Sequence, residues 1–346
     1  MRIQPLLLIG ALSVSLPLAA QPAPTPSPPV VLEKILISGE QPGPGLWKVS
    51  KDDHVLWLVG EQSPVPQKMR WRAKGIEAIV AQSKEILAAP SYGISAKQIG
   101  FFDTLAMLPS ILQIRKSPEG KTLSELIPAD LYARWRVLRD RYIDLNDARD
   151  DDFISDKKPE IESWRPLFAA QELYRQAIRK SGMTSDNLVW PVVSAAAKKH
   201  NVKITSVRVD LAVEGARTLL KDFRASSIDD IDCFTKTVNR IETDLEGMRL
   251  RANAWAVGDI AALRNNLAAV DQRLACQAAL TSATFTKKIG AQDLLAQAEA
   301  KWFEAAEAAL KNHPVALAVL PIGQMLSPQG YLAKLRAKGY RVEEPE

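Results

Sequence analysis

Apolar and polar positions change period along this chain, and the changes divide it into elements. Residues 46–50 ("LWKVS") and 55–60 ("VLWLVG") are short runs rich in β-branched and aromatic side chains. With "KDD" between them they predict a β-hairpin. Over residues 69–83, Ile76, Ile79 and Val80 fall on one face of a 3.6-residue period, which predicts a helix. "EILAAP" then predicts a short buried strand ended by Pro90.

From about residue 95 to 200 the pattern turns helical. "FFDTLAMLPSILQI" is apolar enough for a buried helix kinked at Pro109. In "PADLYARWRVLRDRYIDL", Leu131, Trp135, Leu138 and Tyr142 recur at helical spacing. Pro128 suits the first turn there, and Asp130 suits the positive end of the helix dipole. "LVWPVVSAAAKKH" predicts another helix, residues 202–207 a strand, and residues 211–310 a series of Ala-rich amphipathic segments. "VALAVLPIGQ" reads as a buried strand. "PQGYLAKLRAKGYRVEEP" reads as a helix, a stop at Gly339 and a final strand. Strands at both ends with helices between them predict an α/β fold, its sheet core formed by the N- and C-terminal segments, with a large helical middle. There is no internal repeat.

Composition confirms a folded chain and removes some functions. The 346 residues are 47% hydrophobic and 25% charged, values of a globular protein with a sizeable core. The net charge of +5 is spread among 40 acidic residues with no block of like charges, which argues against a nucleic-acid partner. "NDARDDDF" clusters aspartates but lacks the glycine and final glutamate of a calcium loop, so a solvated loop is expected.

The first residues carry a charge at Arg2, an apolar run over 6–18, and small residues at Ala19 and Ala20. That layout predicts a signal peptide over residues 1–20, cleaved after Ala20. The run is shorter than the roughly 20 residues of a membrane span. No cysteine follows to take a lipid, and no other segment is apolar enough to cross a bilayer, so a periplasmic or secreted product is expected. Residues 21–43 are Pro-rich at their start and predict an extended linker, with the domain over 44–346. An even cysteine count in an exported chain points to a Cys233–Cys276 bridge, with two buried free thiols as the alternative.

Candidate chemistry lies in "LWLVGEQSPVP", where a buried strand ends at Gly60 and opens into Glu61, Gln62, Ser63 and two prolines. "GLWKVSKDDHVLWLVGEQSPVP" and "ALAVLPIGQMLSPQGYLAKLRAKGYRVEEP" together resemble the two end signatures of the TraB/GumN family, which includes TIKI-type metalloproteases. "CFTKTVNRIETDL" and "RANAWAVGDIAAL" resemble the helical segment before the second signature. The resemblance implies a fold related to the erythromycin esterase/ChaN-like one. It also implies a divalent metal held by two Gly-x-x-His histidines and an acidic residue, with an open position for water.

Those family positions fall here on Ser63, Ala89 and Gln324, and the second motif's glycine falls on Pro321. All three implied ligands are absent. His54, His200 and His313 are not spaced to replace them. Glu61 with Gln62, Ser63 and Gln324 makes a poor transition-metal site, because amides and hydroxyls are weak ligands. Ser63 has neither a neighbouring base nor a glycine elbow to serve as a nucleophile. Trp255 is expected to be a core anchor.

The reading that follows is a catalytically degenerate binding or scaffold module that needs no cofactor. Its loops present neutral donors and acceptors suited to a peptide, a glycan or an envelope protein. The alternative is a hydrolase with a rearranged site, using manganese or cobalt with Glu61 and acids such as Asp103 or Asp147. A third reading makes the helical middle, through "FFDTLAMLPSILQI", a contact for a partner or a second copy, with buried core as the simpler account. The sequence leaves the oligomeric state open.

Overall fold

Strands from the two ends of the chain meet in one sheet. The computed structural model describes residues 39–96, 113–117, 120–143, 161–213, 215–265 and 270–345. β1 (Leu46–Lys51) and β2 (His54–Glu61) form the hairpin, turning through Asp52, whose φ of 52° lies in the left-handed region. β3 (Val65–Pro66) follows, then the helix Lys74–Gln82, β4 (Glu85–Leu87) and β5 (Ser91–Ala96). β6 (Met183–Thr184), β7 (Lys203–Thr205) and β8 (Arg208–Val213) come from the second third of the chain. β9 (Val315–Pro321) and β10 (Arg341–Glu343) come from its end.

The main sheet has the order β10-β1-β2-β9-β4-β7. β10, β1 and β2 are antiparallel neighbours, whereas β2, β9, β4 and β7 run parallel. The longest parallel pairing joins β2 to β9 from Val55↔Val315 to Glu61↔Pro321. Leu56, Leu58, Ala316, Leu317, Ala318 and Leu320 along these strands are fully buried. A large apolar side chain sealed from water contributes roughly 1.5–3 kcal/mol, so this central pair anchors the core. Trp302 and Phe303 of the helix Leu294–Asn312 join the same core, as do Val189 and Val193 of the helix Val189–His200.

The helical middle has a second core. Leu131, Trp135, Leu138 and Tyr142, the periodic residues of the helix Ala129–Tyr142, are all buried. They meet Leu173 from the helix Pro166–Lys180, and Phe234, Val238 and Ile241 from the helix Ile231–Thr243. The Trp135 and Phe234 ring centroids are 5.2 Å apart. Cys233 and Cys276 are disulfide-bonded across 43 residues, joining Ile231–Thr243 to the helix Val270–Ser282.

Three boundaries differ from the sequence reading. The helix expected over 69–83 begins only at Lys74, because the backbone before it pairs with residue 41. Gln41 N–H donates to the Arg70 carbonyl at 3.0 Å, and Arg72 N–H donates to the Gln41 carbonyl at 2.8 Å. β5 extends to Ala96, and β8 covers residues 208–213 where amphipathic helix was expected from 211. These two strands pair in parallel as a separate ribbon. Ala88 N–H donates to the Thr205 carbonyl and Ser91 N–H to the Val207 carbonyl, so the ribbon prolongs the β4–β7 ladder. Alternation over such short runs does not distinguish strand from helix. Residues 1–38, most of "FFDTLAMLPSILQI" and "NDARDDDF" lie outside the described residues. Among the described residues, no helix is long and apolar enough to cross a membrane.

Replacing both Cys233 and Cys276 by alanine is expected to lower stability by roughly 3–4 kcal/mol, as loop closure of this length implies. Urea unfolding measures it. An unchanged midpoint would show that the bridge does not constrain the chain.

Candidate functional site

All the parallel strands end on one edge of the sheet, at Glu61, Leu87, Thr205 and Pro321. A crevice outside the carboxyl ends of parallel strands is where open α/β sheets place ligands. Here the edge is fixed by close backbone contacts. The Gly60 carbonyl accepts a 2.7 Å hydrogen bond from the Trp255 indole, and Trp255 is 1% exposed, a core anchor with a polar task. Trp71 meets Trp255 edge-to-face at 5.8 Å. A Cβ on Gly60 would lie 2.2 Å from Ile322 Cδ1 and 3.0 Å from Ile322 Cβ, so only glycine lets β2 and the helix Ile322–Leu326 approach this closely. A Cβ on Gly330 would lie 2.0 Å from the Gln324 carbonyl oxygen, so that glycine sets the second loop.

These contacts shape a cavity of about 400 Å³. The loop after β2 contributes Glu61, Gln62 and Ser63, and the loop after β9 contributes Pro321, Gly323 and Gln324. Leu263, Ile322 and Leu326 supply apolar wall. The remaining side comes from the helical middle and carries three guanidinium groups, Arg240, Arg251 and Arg273, with Tyr174 and Gln272.

The charges are arranged unequally. Arg251 is buried and doubly bonded to Asp244, with Nη1 donating to Oδ1 at 2.9 Å. Arg240 donates from Nη1 to Gln272 Oε1 at 2.9 Å, and its guanidinium lies 5.2 Å from the Tyr174 ring centroid. Its Nε is buried without a hydrogen-bond partner, 3.5 Å from Asp244 Oδ2. Among the described residues, Arg273 has no hydrogen-bond or ion-pair partner. Desolvation pushes its guanidinium below the ordinary value, and the nearby Arg240 charge acts in the same direction.

Glu61 is tied to the end of a helix. Its Oε1 accepts from the backbone N–H of Val189 at 3.2 Å and of Trp190 at 3.4 Å, the open end of the helix Val189–His200. Burial nevertheless pushes its carboxyl above the usual range, outweighing those two bonds. Ser63 is exposed and donates to the Ser185 carbonyl at 3.3 Å.

Ser63 and Gln324, two of the positions where the resemblance implies metal ligands, line this one cavity. Ala89 lies two residues beyond β4 on the same edge, outside the cavity lining. The histidines are elsewhere. His54 opens β2, with Nδ1 2.7 Å from the Leu310 carbonyl, and His313 stands just before β9, 3.5 Å from Glu85. At ~3.3 Å per residue, β2 separates these amino ends from the cavity by about 23 Å. His200 closes the helix whose other end receives Glu61. Asp103 and Asp147 lie outside the described residues.

The donors present do not fit a divalent metal. Amide and hydroxyl groups are weak ligands, and guanidinium groups repel a cation. Among the described residues, no group of three or more His, Cys, Asp or Glu is placed to hold one. The loops bring Gln62, Ser63 and Gln324 beside Glu61, and the helices facing them add positive charge that the sequence reading did not include. Sequence reading missed these arginines because a single Arg on an amphipathic helix resembles any solvated position. The available signal was their spacing from the cysteines, with Arg240 two turns after Cys233 and Arg273 one turn before Cys276.

The model of the TraB/PrgY/gumN family matches residues 45–344, so the chain belongs to that family. No curated protein and no solved structure matches it.

Gly60→Ala is expected to cost roughly 1–3 kcal/mol through overpacking, and Gly60→Ala with Ile322→Ala should cost less than the sum of the single changes. Strict additivity in denaturant unfolding would refute the contact. Glu61 yields a pH test. Its raised folded-state value means that the stability linked to its protonated form is present below the ordinary carboxyl value of 4.5 and is lost as pH rises through the folded value. Glu61→Gln keeps an acceptor for the helix N–H groups and removes the titration. The melting temperature of Glu61→Gln relative to the unmodified protein should therefore rise from about pH 4 to about pH 7. A difference independent of pH would contradict the burial of this carboxyl.

Proposed function

We propose that this member of the TraB/PrgY/gumN family is an exported ligand-binding module that does not perform metal-dependent hydrolysis. The observation that carries the reading is the donor set of the carboxyl-edge cavity. Ser63 and Gln324 occupy positions where the resemblance implies imidazoles, and Arg240, Arg251 and Arg273 face them. Activating water with a metal requires lone pairs around an open coordination position. Guanidinium groups have none to give. The alternative hydrolase asks Glu61 to hold the metal, yet one oxygen of Glu61 already accepts two backbone hydrogen bonds at the end of a helix.

What remains is a concave, pre-formed site with apolar walls and a few oriented polar groups, the ordinary form of a small-ligand site. A cavity of about 400 Å³ admits a chain end, a single sugar or a similarly small molecule, not a folded partner. The occupant in this reading is presented by the envelope compartment into which residues 1–20 direct the chain.

Titration calorimetry of the purified protein with Mn²⁺, Co²⁺ and Zn²⁺ tests the reading, alongside a peptide-hydrolysis assay. Neither stoichiometric tight binding nor metal-stimulated hydrolysis is expected. Tight binding by the unmodified protein that disappears on Glu61→Ala would establish a rebuilt metal site and overturn the proposal.

A further inference from the structure

We infer that the cavity binds a small organic anion, with its carboxylate or phosphate head against Arg240 and Arg273 and its apolar body against Leu263, Ile322 and Leu326. This rests on the ligand-binding reading above and specifies the ligand's chemistry.

The charge balance around the cavity is the first argument. Three guanidinium groups line it, and among the described residues the carboxylates at hand are Asp244, paired with Arg251 and Arg240, and Glu61, which also lines the cavity. Asp244 is committed to Arg251 by two hydrogen bonds and to Arg240 at 3.5 Å. Glu61 is directed toward the backbone N–H groups of Val189 and Trp190. Arg273 is left without a counter-ion among the described residues. The Arg273 side chain is exposed at the cavity wall rather than sealed in the core, and a guanidinium without a counter-ion there attracts an incoming anion.

Hydrogen-bonding capacity is the second argument. Arg240 lines the cavity with its guanidinium held in place, since Nη1 donates to Gln272, Nε lies 3.5 Å from Asp244 Oδ2 and the Tyr174 ring packs against it. Two guanidinium groups from adjacent helices, one already oriented, form a fork suited to the oxygens of a carboxylate or phosphate. Gln62 and Gln324 add amide donors from the opposite loops.

One covalent staple joins the two helices that carry these arginines. Arg240 follows Cys233 by two turns on Ile231–Thr243, and Arg273 precedes Cys276 by about one turn on Val270–Ser282. The Cys233–Cys276 bond fixes these two helices to each other. The helix backbones that carry the two side chains are thereby held in place before any ligand arrives, which lowers the ordering cost of binding.

Calorimetry on the full chain with four probes of one body and different heads tests this: phenyl phosphate, benzoate, benzyl alcohol and benzylamine. The first two are expected to bind, benzyl alcohol weakly and benzylamine not at all, with affinity falling as salt is raised. The head that binds more tightly identifies the source, phosphate or carboxylate. Arg273→Gln is expected to weaken anion binding at least about tenfold, and Arg273→Glu to abolish it. Because Arg273 makes no hydrogen bond or ion pair among the described residues, both variants should melt close to the unmodified protein, whereas an Arg251 variant would break a buried pair. Benzyl alcohol or benzylamine binding as tightly as benzoate would overturn the inference, as would anion binding unchanged in Arg273→Glu, or none at all. The metal titration decides the parent reading separately, since tight Mn²⁺ binding would defeat that reading whatever the anions do.

Discussion

The parallel ladder between β2 and β9 is the constraint on which the rest of the structure depends. It joins residues 55–61 to residues 315–321 in one register, so the two loops that follow must emerge side by side. Every later feature of the site inherits that register. Gly60 faces Leu320, Glu61 faces Pro321, and the short helix Ile322–Leu326 folds back onto Gly60 because no side chain intervenes. The Trp255 indole then locks the Gly60 carbonyl from the helical side. A one-residue slip would turn each strand's apolar set to the opposite face and separate these contacts.

Much of this frame was legible in the sequence. The two terminal strand pairs, the helix bearing Leu131, Trp135, Leu138 and Tyr142, and the stop at Gly339 all announce themselves through period and punctuation, and Gly339 has the left-handed φ of 87° that such a stop requires. The β5–β8 ribbon was not legible, because its runs are short and partly exposed and its pairing spans more than a hundred residues. Helix starts shifted where tertiary pairing captured the backbone first, as at Trp71 and Arg72.

The site was half legible. Its strand-end loops follow from the pattern and from the resemblance, which placed Gly60, Ser63 and Gln324 on one edge. Its electrostatic character did not, because that is supplied by Arg240, Arg251 and Arg273 on helices whose approach to the loops is a tertiary fact. Local sequence reports the face of a helix on which a charge sits, not what that face meets. In this chain the positions where the resemblance implies metal ligands, Ser63 and Gln324, share a cavity with three arginines, and a site's chemistry is set by such side chains rather than by the fold.

The most direct test of the account is a crystal structure grown with both Mn²⁺ and phenyl phosphate, with data collected at the manganese absorption edge. The account predicts no anomalous peak in the carboxyl-edge cavity and phosphate density within hydrogen-bonding distance of Arg240 and Arg273. An anomalous peak coordinated by Glu61 and Gln324, with the arginines turned away, would contradict it.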